Sequence, residues 1–235
     1  NFEEAKAFCR PVLSQLHDPF LLNDMDKAIA RIAEAKSAEQ KIMVYGDYDV
    51  DGTTAVSLVY AFLKENGFKN LDYYIPDRYS EGYGISYKGI DFAHEQGFKL
   101  IIALDCGIKA VDKIAYATEK GIDFIICDHH RPGDELPAAV AVLDAKRHDS
   151  TYPFDELSGC GVGFKLIQAY ALTYGIAFES LYKFLDLVTI SIASDIVPII
   201  GENRILAHFG LKLINTNPRP GIESILGVAN IIRKS

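Results

Sequence analysis

Lys41-Ile42-Met43-Val44-Tyr45-Gly46-Asp47-Tyr48-Asp49-Val50-Asp51-Gly52-Thr53-Thr54-Ala55 is the stretch on which the rest of the chain turns. An apolar run over 41–46 predicts a buried strand; it stops at three alternating aspartates, and a glycine and a helical pattern follow. Three carboxylates so close repel one another, which costs stability unless a cation lies among them. A divalent metal is the economical explanation, and the rest of the chain is then expected to complete its coordination.

Working outward, the same event repeats. Residues 71–75 read as a second strand stopped by Pro76, 98–104 as a third ending at Asp105, 122–127 as a fourth ending at Asp128-His129-His130, and 138–143 as a fifth ending at Asp144. Between them the pattern predicts helices over 53–66, closed by Gly67, over 86–96 with Ser86 as N-cap, and over 109–120, closed by Gly121. An amphipathic helix over 24–36, with Met25, Ile29, Ile32 and Ala33 on one face, precedes the first strand, and 1–23 is expected to be irregular around Pro11 and Pro19.

Strand–helix alternation at this spacing implies an α/β fold: a parallel sheet of about five strands with helices on both faces. In open sheets of this kind ligands bind beyond the carboxyl ends of the strands, at the switch in strand order. Acids far apart in sequence can therefore meet in one crevice. After Pro153 the pattern is mostly helical, with helices over about 164–174, 179–194, 202–215 and 221–233. The expected organisation is an α/β core over 1–150 carrying Asp47–Asp51, Asp105 and Asp128–His130, then a mainly helical part of the same domain over 151–235 carrying a glycine run and Asp195.

The net charge of −8 argues against the basic footprint of a nucleic-acid binder. Two divalent ions would return four charges, which weakens that objection. The four cysteines, Cys9, Cys106, Cys127 and Cys160, form no C-x-x-C pair, so zinc and a disulfide framework are not expected. The longest apolar segment, 181–200, is interrupted by Lys183, Asp186 and Asp195, so no membrane span is expected and the protein reads as cytoplasmic. The chain opens on Asn1 without an initiator methionine and reads as a piece of a longer protein.

The opening of the acidic stretch also matches a calcium loop, but the twelfth position, where a bidentate glutamate belongs, is Leu58, and a strand rather than a helix precedes it. Imidazole together with carboxylates suits Mn²⁺ or Mg²⁺ better. Of the adjacent histidines 129 and 130 only one readily faces a given ion, which frees the other for a substrate phosphate or a proton. Asp195 sits inside an apolar segment and needs a partner. The run Gly159-Cys160-Gly161-Val162-Gly163, before a helix, can offer backbone N–H groups to an anion, and Arg78, in the loop after the second strand, can grip a phosphate. Lys146-Arg147-His148 reads as a solvated turn. Together these are the parts of two-metal phosphoester hydrolysis.

Asp47-x-Asp49-x-Asp51-Gly52, Asp105-Cys106-Gly107, Asp128-His129-His130 and Ser194-Asp195-Ile196-Val197-Pro198 resemble, in order, the motifs of the DHH phosphoesterase superfamily. Pro76-Asp77-Arg78, Glu81-Gly82-Tyr83-Gly84 and 158–165 narrow the resemblance to its RecJ branch, single-strand-specific 5′→3′ exonucleases. The resemblance spans nearly the whole chain, from His17-Asp18-Pro19-Phe20 onward. It implies two Mn²⁺ or Mg²⁺ ions held by Asp49, Asp51, Asp105, His129 and Asp195, with Asp105 bridging. It makes Asp47 a further ligand or supporting acid, Asp128 the residue that orients a histidine, and His130 the group that meets the scissile phosphate or helps the leaving group. Arg78 would take the 5′-terminal phosphate, and Ser158, Gly159, Gly161 and Gly163 the DNA backbone. Single-stranded DNA, a single-strand-binding protein and a helicase would be the partners in repair and recombination.

Two departures stand out. Relatives often carry Asn-Pro where this chain has Asp144-Ala145, and members of that branch continue into DHHA1 and OB domains, without which processive activity is expected to be weak. Competing readings are a DHH enzyme of short substrates (a nano-RNase, a 3′-phosphoadenosine phosphatase or a cyclic-dinucleotide phosphodiesterase) and a non-catalytic Cdc45-like scaffold. The first usually opens on a histidine-led motif, and the second should have lost ligands that are kept here.

Overall fold

The computed structural model describes residues 8–233, so the expectation for 1–7 lies outside it. Five strands, β1 (Lys41–Gly46), β2 (Leu71–Tyr74), β3 (Phe98–Leu104), β4 (Asp123–Cys127) and β5 (Ala141–Leu143), form one sheet in the order β2-β1-β3-β4-β5. Every neighbouring pair is parallel, as the alternation of elements required. The helices are α1 (Met25–Ser37), α2 (Val50–Glu65), α3 (Tyr87–Glu95), α4 (Val111–Glu119), α5 (Gly159–Thr173), α6 (Leu185–Ser194), α7 (Gly201–Thr216) and α8 (Pro220–Val228).

The two-residue period of the strands sorts the core into two layers. Val44, Ile102, Leu104 and Cys127 face one side, where α1, α2, α5 and α6 bury Ile32, Leu58, Phe164 and Val188. Met43, Tyr45, Ala103 and Ile126 face the other, where α3 and α4 bury Ile90 and Ile114. The apolar run of β1 is continuous because both of its faces are covered.

Several boundaries differ from the sequence pattern. Helix α2 begins at Val50, earlier than expected, because the Asp49 side chain caps it by accepting from the Gly52 N–H at 2.9 Å. The segment expected as one helix over 179–194 is a 3-10 helix, Phe178–Phe184, followed by α6. Leu181 and Phe184 are buried three residues apart, which suits a three-residue turn. Strand β5 is only three residues long. Among the described residues no helix is long and apolar enough to cross a membrane.

Two polar ties hold the periphery to this frame. Arg147 corrects the reading of 146–148 as a solvated turn: its guanidinium pairs with Asp24 at 2.6 Å and Asp149 at 2.8 Å and donates to the Val142 carbonyl. Deeper in, Lys165 of α5 and Glu202 of α7 form an ion pair with both side chains fully buried. Glu202 also accepts from the His17 N–H at 2.9 Å and the Tyr152 hydroxyl at 2.6 Å, and Lys165 donates to the His17 carbonyl. That network fastens the N-terminal segment to α5 and α7.

Candidate metal centre

The sheet register lines up the acids. Gly46 stands beside Leu104, Leu104 beside Cys127, and Cys127 beside Leu143. The next residue in each of the four strands is an aspartate: Asp47, Asp105, Asp128 and Asp144. The chain leaves β1 toward β2 on one side and returns to β3 on the other, so the switch in strand order falls between Asp47 and Asp105.

His129 is the point on which the site converges. Its Nε2 lies 3.1 Å from an Asp105 carboxylate oxygen, 3.6 Å from Asp195 and 3.7 Å from Asp51. Two overlapping sets bring their donor atoms within 4.8 Å of one another: Asp51, His129 and Asp195, and Asp105, His129 and His130. Ligands about 2.1 Å from one small cation stand no more than about 4.2 Å apart, so slight closure would seat each set on an ion. Asp47 and Asp49 lie outside both sets. Asp49 is exposed and serves as the α2 cap, and Asp47 is buried with one oxygen on the Gly84 N–H at 3.1 Å.

The buried atoms test whether a cation fits. Asp105 Oδ1, Asp47 Oδ2 and both ring nitrogens of His129 are buried without a hydrogen-bond partner. Unpaired buried polar atoms are costly, and here they are oxygens and imidazole nitrogens gathered in one place. Burial, then the charges of Asp51, Asp49 and Asp128, push the Asp105 carboxyl up to about 10. Burial also raises Asp51 and Asp47. A divalent cation reverses each of these penalties. Oxygen donors with an imidazole fit Mn²⁺ or Mg²⁺, and the three cysteines near the sheet are buried free thiols that belong to neither set.

Asp105 has φ +58, a left-handed conformation that aspartate tolerates better than most residues and that turns its side chain out of the strand direction. Asp195 ends α6, one turn beyond Ser191. Ser191 Oγ donates to Asp51 at 2.7 Å, and the N–H groups of Gly159 and Cys160 donate to the two Asp51 oxygens at 2.7 Å each.

These bonds give the N–H groups of the 158–163 run partners within the chain. The glycine run is the first turn of α5 and it does hold an anion, but the anion is the Asp51 carboxylate. Ser158, Gly159, Gly161 and Gly163 are buried, and the Ser158 hydroxyl caps the helix by accepting from the Gly161 N–H. Gly159 is required by packing: a Cβ there would lie 2.6 Å from the Asp105 Cβ and 2.7 Å from its Oδ1. Gly159→Ala should therefore cost about 1–3 kcal/mol and weaken Mn²⁺ binding about 10–100-fold by displacing Asp105. Thermal melting and calorimetry measure the two effects. Wild-type values in both would mean that α5 yields instead.

The other side of the crevice is built around His130. Asp128 is buried; its oxygens accept from the N–H groups of Ile108, His129 and His130 and from the His130 ring Nδ1, the last at 2.7 Å. Burial pushes the Asp128 carboxyl up, but the His130 bond and charge outweigh it and hold it low, while the same bond raises His130. Tyr83 stands in the Glu81-Gly82-Tyr83-Gly84 motif, which carried no role for it in the sequence. Its hydroxyl stands 3.1 Å from His130 Nε2, and its ring meets Tyr48 edge-on. Gly82 and Gly84, both at positive φ, place it, and Glu81 ties the loop through Ser86, Tyr74 and the Asp77 N–H. The glycine–tyrosine–glycine spacing was the available signal. Arg78 is exposed, its guanidinium 5.1 Å above the Tyr48 ring. Asp144 is buried, with one oxygen on the Lys146 N–H and the other unpaired, and burial and then the Asp128 charge bring it up to about 7.

A family model described as DHH family, N-terminal domain, matches residues 41–192. The single-stranded-DNA-specific exonuclease RecJ of Bacillus subtilis is 42% identical to this chain over 95% of it, and that of Escherichia coli 36% identical over 89%. The chain spans 28% and 38% of those two proteins. A crystal structure of exonuclease RecJ bound to manganese superposes with a TM-score of 0.82 at 28% identity, covering 95% of this chain and 55% of the other.

Proposed function

Since the chain belongs to the DHH family, we propose that it is the catalytic part of a metal-dependent exonuclease that degrades single-stranded DNA from its 5′ end. The observation that carries this reading is the convergence of Asp51, Asp105 and Asp195 on His129 Nε2 from four separate elements. The likeness to single-stranded-DNA-specific exonucleases supports the substrate, and the manganese in the similar structure supports the metal. Residues 1–150 and 151–235 would be two parts of one DHH domain; DHHA1 and OB domains would complete the protein.

Asp51, Asp105, His129 and Asp195 would hold two Mn²⁺ or Mg²⁺ ions, with Asp105 shared and Asp49 and Asp47 completing the set from the β1 end. When bound, the ions supply a nucleophilic water and charge neutralisation at the phosphate. The chain's own groups do the rest. The α5 amides and Ser191 fix the direction of the Asp51 carboxylate. Asp128 orients His130 through Nδ1, leaving Nε2 toward Tyr83 and the crevice. Its raised proton affinity suits His130 to give a proton to the departing 3′-oxygen when the P–O3′ bond breaks. Arg78, beside Tyr48, is placed to take the 5′-terminal phosphate. Such an enzyme works in the cytoplasm on strands exposed by a helicase and covered by single-strand-binding protein.

With Mn²⁺, a 5′-phosphorylated single strand should release mononucleotides from its 5′ end, a blunt duplex should resist, and a chelator should stop the reaction. No mononucleotide release from single strands sinks the exonuclease reading. Cleavage of dinucleotides alone would point to a short-substrate DHH enzyme, and metal binding without hydrolysis to a scaffold.

A further inference from the structure

A cavity of about 220 Å³ opens on the His130 side of the crevice. Asp128 and His130 line it, as do Tyr83, Gly84 and Ile85. The connection from β3 to α4, 106–110, and Lys113 on the first turn of α4 complete the lining. Its floor is apolar: Ile85, Cys106 and Ile108 are all buried members of the core layer beneath α3 and α4. It is smaller than the roughly 300 Å³ at which sites for drug-sized ligands begin, so it has room for one nucleoside unit at most.

The lysines at its mouth are unexplained by the fold. Lys109 is exposed and Lys113 half-buried, and among the described residues neither is paired with a carboxylate. The chain carries 32 acidic against 24 basic side chains, so unpaired lysines grouped at one cavity stand out. They lie on either side of the start of α4, and both line the cavity. The cavity therefore combines an apolar floor, an aromatic edge at Tyr83, a proton donor at His130 and two free cations. An anion with a flat apolar body matches that set.

We infer that this cavity is a subsite for one nucleoside monophosphate unit, with Lys109 and Lys113 holding its phosphate and the apolar floor receiving its base or sugar. The inference rests on the phosphodiesterase reading and names where a nucleotide next to the cleaved bond is kept. The same chemistry serves a free mononucleotide or the end of a strand.

The test uses the 235-residue chain saturated with Mn²⁺. Calorimetry with dAMP should show binding that falls at least about tenfold in the Lys109→Ala/Lys113→Ala double variant and is largely kept in Lys113→Arg. Deoxyadenosine, which has no phosphate, should bind both forms alike. Mn²⁺ affinity should be unchanged, and thermal melting should stay close to wild type, because among the described residues neither side chain belongs to the core and neither is paired with a carboxylate. On a single strand, dAMP should inhibit competitively in the wild type and about tenfold less well in the double variant, which extends the subsite to the strand end. Equal dAMP binding by wild type and double variant overturns the inference, as does the absence of dAMP binding to the Mn²⁺-loaded wild type. Non-competitive inhibition overturns its extension to the strand. Failure of the exonuclease reading is a separate result: no mononucleotide release from strands, with dAMP binding and its loss in the double variant intact.

Discussion

Asp105→Asn should abolish Mn²⁺-dependent hydrolysis while making the metal-free chain more stable. Asp105 belongs to one of the two potential ligand sets, and its unpaired oxygen lies 3.1 Å from Nε2 of His129, the residue common to both. Asparagine keeps the shape and tolerates the left-handed backbone at φ +58, so the variant should fold without local strain. It removes one negative charge from the centre. A loss of activity on the order of 10²–10³-fold or more is expected, with Mn²⁺ binding weakened in calorimetry. In the metal-free chain the sign reverses. The Asp105 carboxyl is pushed up to about 10 by burial and by Asp51, Asp49 and Asp128, against 3.8 for an unperturbed one. Between those values the folded chain binds a proton that the unfolded chain has released, so stability falls as pH rises through that window. Asparagine removes this dependence. At neutral to mildly alkaline pH the metal-free variant should gain on the order of 1–3 kcal/mol, or roughly 2–10 °C in Tm for a chain of this size. Melting with and without chelator against pH separates the two effects. Wild-type Mn²⁺ affinity in the variant would remove Asp105 from the centre.

Lys165→Met should be the most destabilising single change away from the crevice. It leaves Glu202 fully buried, still accepting from the His17 N–H and the Tyr152 hydroxyl but without a counter-charge. Removing one partner of a buried pair costs about 3–5 kcal/mol, or roughly 6–20 °C in Tm. Adding Glu202→Gln should recover most of the loss, because a neutral amide oxygen can still accept from His17 while no charge remains buried. Denaturant melts of the two single variants and the double variant complete the cycle. A double variant no better than Lys165→Met would show that the methionine fails to pack.

How far the sequence could be read follows from what each signal depends on. The strands were legible because β1, β3 and β4 are covered on both faces and read as unbroken apolar runs. Each also ends abruptly at an acid, which exposed Asp47, Asp105 and Asp128 as one set. Asp195 showed as a charge in an apolar helix. The role of the glycine run did not show, because a helix start that offers N–H groups looks the same in sequence whether its anion is a substrate or an aspartate from elsewhere in the chain. Only the fold brings Gly159 against Asp105 and Cys160 against Asp51. The roles of Tyr83 and Ser191 did not show for the same reason: one hydroxyl on a loop and one in a helix acquire meaning from partners at His130 and Asp51. The α2 start moved because a capping side chain outweighs the residues that follow it.

The row of strand-end aspartates has a metrical consequence. Neighbouring parallel strands lie about 4.8 Å apart. Carboxylates that leave adjacent strands at the same level, as Asp47, Asp105 and Asp128 do, are thus spaced by the backbone hydrogen bonds themselves. The sheet acts as a ruler with one graduation per strand. Surface loops can vary in length and sequence without recalibrating it, whereas a slip of one residue in the pairing of β1 with β3 would ruin the measure at once.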